Sequence, residues 1–178
     1  MSHEPSILVI GLGNPLRGDD GIGWYAVDRI SELTEAGDIE FLKCRELMPE
    51  ISERVSKVKR VLFLDAAVGT ERGKVTEKQV YSSEEYPPLA THHLDPAGLL
   101  AFSKALYGSA PRAVVMTVSG ESFEYHNGLS EGAQGDARLL VNRACEILDK
   151  WLRGKGRSCE DPDCRLISFL NGSNISPA

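Results

Sequence analysis

The residues best suited to chemistry are two carboxylates and one imidazole that lie far apart in the chain. Asp20 follows a glycine-rich turn, Asp65 ends a hydrophobic run at 61–64, and His93 precedes a helix-like segment. In an open α/β sheet the carboxyl ends of neighbouring strands meet where ligands bind, so we expect these side chains to converge. Two carboxylates and one imidazole suit a borderline divalent ion such as zinc or nickel better than magnesium, which prefers all-oxygen shells. The pattern predicts a metal-ligating site.

The turn itself, at 11–23, joins a buried strand to a helix and contains the densest set of glycines. Its spacing is not that of a dinucleotide-binding G-x-G-x-x-G loop, because Pro15 and Leu16 intervene, and its two carboxylates would repel a pyrophosphate. Asp19 is interpreted as the N-cap of the following helix, a position that favours an acidic residue. The turn therefore disfavours nucleotide binding and leaves Asp20 available for chemistry.

A conventional nucleophile is hard to find in this sequence. The stretch 119–122 lacks the G-x-S-x-G elbow, and no cysteine occupies a glycine-rich strand-to-helix turn. Glu121 lies at the same predicted edge as Asp65, where it either binds substrate or caps a turn. His126 is expected to be solvent-facing or structural. Serine or cysteine hydrolysis is therefore disfavoured.

The four cysteines are not spaced like a zinc site. Cys44 and Cys145 are interpreted as packing residues, because free cysteines are often buried. Cys159 and Cys164 lie in a polar tail, where a disulfide or a weak metal site stays open. Cytoplasmic thiols usually remain reduced.

Short apolar runs alternate with helical periodicity along the chain, which indicates a mostly parallel sheet with helices packed on it. Strands are predicted at 7–10, 39–42, 61–65, 74–81 and 113–118. Helices are predicted after residue 22 with Gly37 as the stop, from about 48 to 58, and over 133–151. A further helix begins at the N-cap Asp95, turns Leu99, Phe102 and Leu106 inward and ends at Gly108. We predict an α/β three-layer sandwich in which a mostly parallel, twisted sheet is flanked by helices on both faces.

The bulk composition is that of an ordinary soluble globular protein. The chain has 178 residues, of which 42% are hydrophobic and 26% charged. We expect one α/β domain over residues 1–153 and a polar, flexible C-terminal tail over 154–178. The net charge of −6 argues against a nucleic-acid partner. The start of the chain has neither a basic leader nor a membrane span, so we expect a cytoplasmic protein without a membrane partner.

The order and spacing of these features resemble the hydrogenase maturation protease family over residues 7–152. The strand, G-x-G-N turn and acidic pair are similar to the family's opening, with Asp20 where the family carries a metal-binding Glu or Asp. Asp65 and His93 fall at the family's other two ligand positions. One segment departs: where many members carry Asp-Gly-Gly-Thr, residues 43–50 read Lys-Cys-Arg-Glu-Leu-Met-Pro-Glu, similar to the branch that serves soluble NAD-linked hydrogenases.

The resemblance implies an endopeptidase, of the aspartic type in family classification. Such an enzyme removes the C-terminal extension from the nickel-loaded large-subunit precursor of a nickel-iron hydrogenase. The implied nickel belongs to the precursor and is recognised by Asp20, Asp65 and His93, so no tightly held cofactor is expected. The implied catalytic carboxylates are Asp20 and Asp65. The expected partner is the precursor, and we expect the enzyme to be a monomer.

Three other functions remain open on the sequence. Peptidyl-tRNA hydrolases resemble the segment 9–15, but they continue into a catalytic histidine turn where this chain has Arg17-Gly18-Asp19-Asp20, and its acidic charge suits tRNA poorly. A non-catalytic nickel-binding assembly factor would show the same three ligands. A zinc aminopeptidase-like hydrolase would retain metal after purification.

Overall fold

A computed structural model describes residues 5–34, 37–69, 71–82 and 94–153. Its sheet contains five strands: β1 (Ile7–Leu12), β2 (Ile39–Cys44), β3 (Arg60–Ala67), β4 (Thr76–Val80) and β5 (Arg112–Ser119). Their order across the sheet is β2-β1-β3-β5-β4, and all pairs are parallel except β5 with β4. The predicted boundaries of the tail and the single domain stay predictions.

Four helices cover the two faces of the sheet: α1 (Ile22–Leu33), α2 (Ser52–Lys57), α3 (Pro96–Tyr107) and α4 (Glu131–Arg153). The inward residues of α1 and α4 form one buried cluster with Ile7 and Val9, whereas α2 and α3 pack against Leu8 and Ile10. Successive residues of a strand point to opposite faces, so β1 needs apolar residues throughout. The predicted α/β sandwich is confirmed. No helix of the described residues is long and apolar enough to cross a membrane.

The connections of the sheet diverge between β1 and β3. After β1 the chain moves to β2 on one side, whereas after β3 it moves to β4 and β5 on the other. Ligands of open α/β sheets bind outside the carboxyl ends of strands at such a divergence. The loop after β1 and the last residues of β3 therefore frame the place where a site is expected.

Three predicted details of the elements are wrong. Helix α1 ends at Leu33, before Gly37, and its last turn is closed by the Thr34 hydroxyl, which donates to the Ile30 carbonyl over 2.7 Å. Strand β3 continues two residues beyond Asp65. The Leu106 side chain is 59% exposed rather than inward, because the buried residues of α3 lie between Gly98 and Ser103 and its last turn is exposed. The Asp95 cap and the Gly108 stop are confirmed: the Asp95 carboxylate accepts from the Gly98 amide over 2.7 Å.

Helix α1 lies directly on the strands at two glycines. A Cβ atom on Gly11 would overlap the Gly23 carbonyl, and a Cβ atom on Gly23 would overlap the carbonyl oxygens of Leu12 and Leu64. The backbone of the helix therefore touches the backbones of β1 and β3. This contact fixes the start of α1, and with it the turn that carries Asp20.

Substituting Gly23 with Ala should lower the free energy of unfolding by about 3 kcal/mol, because the helix must move away from two strands. Gly135 is the matched control, since it lies in α4 with open space around its Cα. There the same substitution should stabilise the protein by about 0.5–1 kcal/mol through helix propensity. Urea unfolding measures both. Equal effects at the two positions would show that α1 does not rest on the strands as described.

Candidate active site

The two predicted carboxylates lie at the divergence between β1 and β3. Asp20 belongs to a single 3-10 turn, Gly18–Gly21, and its Oδ2 atom accepts from the Asn14 amide over 2.9 Å. Asp65 lies on β3, one residue beyond the pairing of Leu64 with Gly11. Both aspartates are half-buried. The structure therefore places them at the same edge of the sheet, on neighbouring segments.

Electrostatics couple the two carboxylates. The pKa of Asp65 is raised to about 6, and burial is the largest cause. The Ala66 amide, which donates to Oδ1 over 2.8 Å, partly opposes this rise, whereas the negative charge of Asp20 contributes to it. A carboxyl with a pKa near 6 can exchange a proton near neutral pH, as general acid–base catalysis requires. In this pair, the Asp65 carboxyl keeps its proton to a higher pH than an ordinary aspartate does.

Cys44 is a neighbour of this pair that the sequence analysis treated only as a packing residue. It ends β2, in register with Leu12, and it does pack against the apolar cluster on the α2 and α3 face. Burial raises the pKa of its thiol to about 11, and the charge of Asp65 adds to the effect. The thiol is therefore protonated at neutral pH and is a poor nucleophile. The edge rule that selected Asp65 would also have selected Cys44.

Asp19 does not cap α1, as the sequence analysis predicted. The N-cap residue of α1 is Gly21, and no side chain caps the helix. The Asp19 side chain is fully buried and accepts four hydrogen bonds of 2.7–2.8 Å: three from the backbone amides of Glu121, Ser122 and Ser130, and one from the Ser130 hydroxyl. It thereby ties the turn carrying Asp20 to the loop between β5 and α4.

The charge state of Asp19 follows from these contacts. Burial alone would raise the pKa of this carboxyl, but the four donors reverse the effect and hold it below the ordinary value of 3.8. Sequence spacing could not reveal this role, because the donors lie more than 100 residues further along the chain. Asp19 is therefore a charged structural anchor next to Asp20.

Glu121 and His126 also hold the loop between β5 and α4 in place. The Glu121 carboxylate lies 3.5 Å from Arg72 and accepts from the Ser130 hydroxyl over 3.2 Å. The His126 amide donates to Leu16 over 3.1 Å, and its ring nitrogen Nδ1 lies 3.1 Å from the Gly128 carbonyl. Both side chains are exposed. The Glu121 carboxylate joins its loop to the segment before β4, whereas the His126 ring contacts its own loop, so these contacts are structural.

His93, the third predicted ligand, lies outside the described residues, as do Cys159 and Cys164. Among residues 5–34, 37–69, 71–82 and 94–153, no three His, Cys, Asp or Glu side chains are close enough together to hold a metal ion. The structure therefore brings together Asp20 and Asp65 and leaves the three-ligand site a prediction.

A groove of about 710 Å³ adjoins the turn that carries Asp20. The glycines on either side of the Asp19–Asp20 pair form part of its wall, and Trp24 and Tyr25 give it aromatic surface. Its charged lining residues are Asp28, Arg29 and Arg138. A substrate segment that reaches Asp20 can therefore also contact aromatic and basic side chains.

Comparison with known proteins gives two kinds of match, although no protein-family model matches the chain. A protein of Methanocaldococcus jannaschii, named as a candidate hydrogenase maturation protease, is 25% identical over 153 residues, covering 82% of this chain and 95% of that protein. The hydrogenase maturating endopeptidase HybD from E. coli has a TM-score of 0.64 at 24% identity, covering 84% and 93%. The [NiFe] hydrogenase maturation protease HycI from Thermococcus kodakarensis has a TM-score of 0.62 at 26% identity, covering 83% and 94%.

The sequence match and the structural matches each span nearly the whole length of the related protein, and they point to the same group. The chain is similar to hydrogenase maturation proteases in both sequence and fold. The resemblance predicted from the glycine-rich turn and the spaced acidic residues is thereby confirmed. The individual roles of Asp20, Asp65 and His93 stay predictions.

Proposed function

We propose that this chain is an endopeptidase that removes the C-terminal extension from the nickel-loaded large-subunit precursor of a nickel-iron hydrogenase. The observation that carries the proposal is the pair Asp20 and Asp65 at the divergence of the sheet, in a chain similar to maturation proteases along nearly their full length. The sequence has no serine elbow, and neither cysteine in the described part of the chain is activated, since the thiols of Cys44 and Cys145 stay protonated.

In this proposal the nickel ion is part of the substrate. Asp20, Asp65 and His93 engage a nickel ion that its own protein has not yet fully enclosed, and they release it after cleavage because carboxylate and imidazole ligands bind an exposed ion weakly. Recognition of the ion then tests whether nickel insertion is complete. The enzyme retains no metal of its own and acts as a monomer in the cytoplasm; size-exclusion chromatography and cell fractionation test these last two points.

Two routes to peptide hydrolysis fit the carboxylate pair. In one, a carboxylate takes a proton from the attacking water, a role that matches an Asp65 pKa of about 6. In the other, the nickel polarises the scissile carbonyl, and the carboxylates orient the ion and the water. Both routes need Asp20 and Asp65 and differ in which group carries the proton.

The proposed role of His93 is tested by substituting it with Ala and following the precursor's intact mass. The wild-type protein should shorten the nickel-loaded precursor at its C-terminus, and the variant should leave it uncut while its circular dichroism spectrum is unchanged. His126→Ala is the matched control, because this exposed imidazole lies at the same edge and hydrogen-bonds the Gly128 carbonyl of its own loop. Full processing by His93→Ala would contradict a metal-sensing role.

Elemental analysis of the purified protein separates the remaining functions. A zinc aminopeptidase-like hydrolase should carry about one equivalent of zinc, whereas the proposed enzyme should carry none. A non-catalytic assembly factor should bind the nickel-loaded precursor and leave its mass unchanged. A protein that carries zinc and cleaves metal-free precursor would overturn the proposal.

A further inference from the structure

Four large apolar side chains are exposed on the loops around the carboxylate pair. Leu16, Met48, Val68 and Tyr125 are 50%, 54%, 79% and 85% exposed, respectively. Each follows a different parallel strand, in the order β1, β2, β3 and β5, so all four lie on loops that leave the carboxyl edge of the sheet. We refer to these four residues as the apolar rim.

Single exposed apolar residues are common and carry no meaning by themselves. The apolar rim differs because its members follow four adjacent strands, and adjacent strands lie about 4.8 Å apart, so the loops span roughly 15 Å. That width is compatible with the apolar centre of a standard protein–protein interface. Asp20 lies in the turn that follows β1 and Asp65 lies on β3, and these are the two middle strands of the four, so both carboxylates lie between the members of the apolar rim.

The backbone beside each rim residue is anchored. The Leu16 carbonyl accepts from the His126 amide over 3.1 Å, next to Tyr125, and the Met48 carbonyl accepts from the Ile51 amide over 3.0 Å. Val68 directly follows a strand residue whose carbonyl accepts from Gly120 over 3.0 Å. A partner that binds the apolar rim therefore has little backbone to order, which reduces the entropic cost of association.

The position of the apolar rim around the carboxylate pair indicates which kind of partner binds there. A second copy of this chain bound there would cover Asp20 and Asp65 and exclude the substrate. A free peptide would bring no nickel with it. The folded precursor brings both a metal ion and a scissile bond to the carboxylate pair. Burial of apolar surface around that pair would supply the non-directional part of the affinity.

We propose that the apolar rim is the docking surface for an apolar face of the folded hydrogenase precursor. The inference rests on the proposed function and identifies the surface by which this site selects its substrate. Docking around the carboxylates holds the exposed nickel and the scissile bond within their reach.

The experiment compares two double variants in the full chain. Val68→Asp with Tyr125→Asp changes the two most exposed rim residues, where substitution is least able to disturb the core. Leu106→Asp with Tyr107→Asp is the matched control, because these residues are 59% and 48% exposed at the end of α3, away from the carboxyl edge. Binding of immobilised nickel-loaded precursor is measured by biolayer interferometry at a temperature where cleavage is slow.

We expect the rim variant to bind the precursor at least tenfold more weakly than wild type and the control variant to bind within twofold of it. Milder substitutions, Val68→Ser with Tyr125→Ser, serve if the first rim variant does not fold. Wild-type affinity in the rim variant would overturn the docking surface even if the wild-type protein cleaves normally. A wild-type dimer that the rim substitutions dissociate would overturn it in favour of self-association. If the wild-type protein binds through the apolar rim but cuts nothing, the proposed function fails while the docking surface stands.

Discussion

Substituting Asp65 with Asn should abolish processing and, at the same time, stabilise the fold. The folded protein holds the Asp65 proton up to a pKa of about 6, whereas the ordinary value is 3.8. Between pH 3.8 and pH 6, Asp65 loses its proton in the unfolded chain but keeps it in the folded protein. The free energy of unfolding therefore falls as the pH rises through this range, and the loss of stability is complete above pH 6. The difference between the two pKa values corresponds to about 2–3 kcal/mol of lost stability at pH 7. The neutral amide of Asn does not ionise and therefore does not cause this loss.

Urea unfolding at pH 7 and pH 4 measures the stability effect of Asp65→Asn. The variant should be more stable than wild type by up to about 2–3 kcal/mol at pH 7, with most of the gain absent at pH 4. Its cleavage of the nickel-loaded precursor should fall by about 10³-fold or more, because the variant can neither accept a proton nor supply a charged metal ligand. Glu53→Gln is the control, since this exposed carboxylate on α2 pairs with Lys57 one turn along the helix, does not line the groove and should change neither quantity by much. A destabilised variant that still cleaves would contradict both assignments.

Substituting Asp19 with Ala should produce the largest loss of stability, about 4 kcal/mol at pH 7. The change removes a buried acceptor and leaves three amides and one hydroxyl without their partner. Because the folded-state pKa of Asp19 is lowered, its stabilisation is complete above the unfolded value and disappears as pH falls through the folded value. The deficit of the variant should therefore shrink in strong acid.

The control for this prediction is Asp95→Ala, which removes a carboxylate that caps a helix by a single bond to Gly98. It should cost about 1 kcal/mol, the usual loss for an N-cap. Equilibrium unfolding followed by circular dichroism compares the two variants across pH. Equal losses would show that Asp19 is an ordinary cap and does not join the two loops.

The sequence was most informative where the signal was local. The apolar run in β1, the Asp95 cap and the Gly108 stop each depend on nearby residues, and all three are where the pattern predicted them. The exposure of Leu106 was missed because periodicity identifies an apolar stripe but does not say how far along the helix that stripe is buried. The parallel-sheet rule also placed Asp20 and Asp65 at one edge without any contact information.

The roles that depend on distant residues could not be read from the sequence. Asp19 precedes a helix, where an acidic residue ordinarily caps, yet the first of its partners, the Glu121 amide, lies 102 residues later. Cys44 resembled a core residue and does pack as one, although the edge rule applied to the end of β2 would also have indicated its place near Asp65. Side chains that join two loops need the fold before their function can be recognised.

The most direct test of the central claim is the intact mass of the hydrogenase large-subunit precursor after incubation with this protein, with and without nickel in the precursor. The account predicts a single loss of mass at the C-terminus of the nickel-loaded precursor and no change in the metal-free one. Cleavage of both forms at the same rate, or of neither, would contradict it.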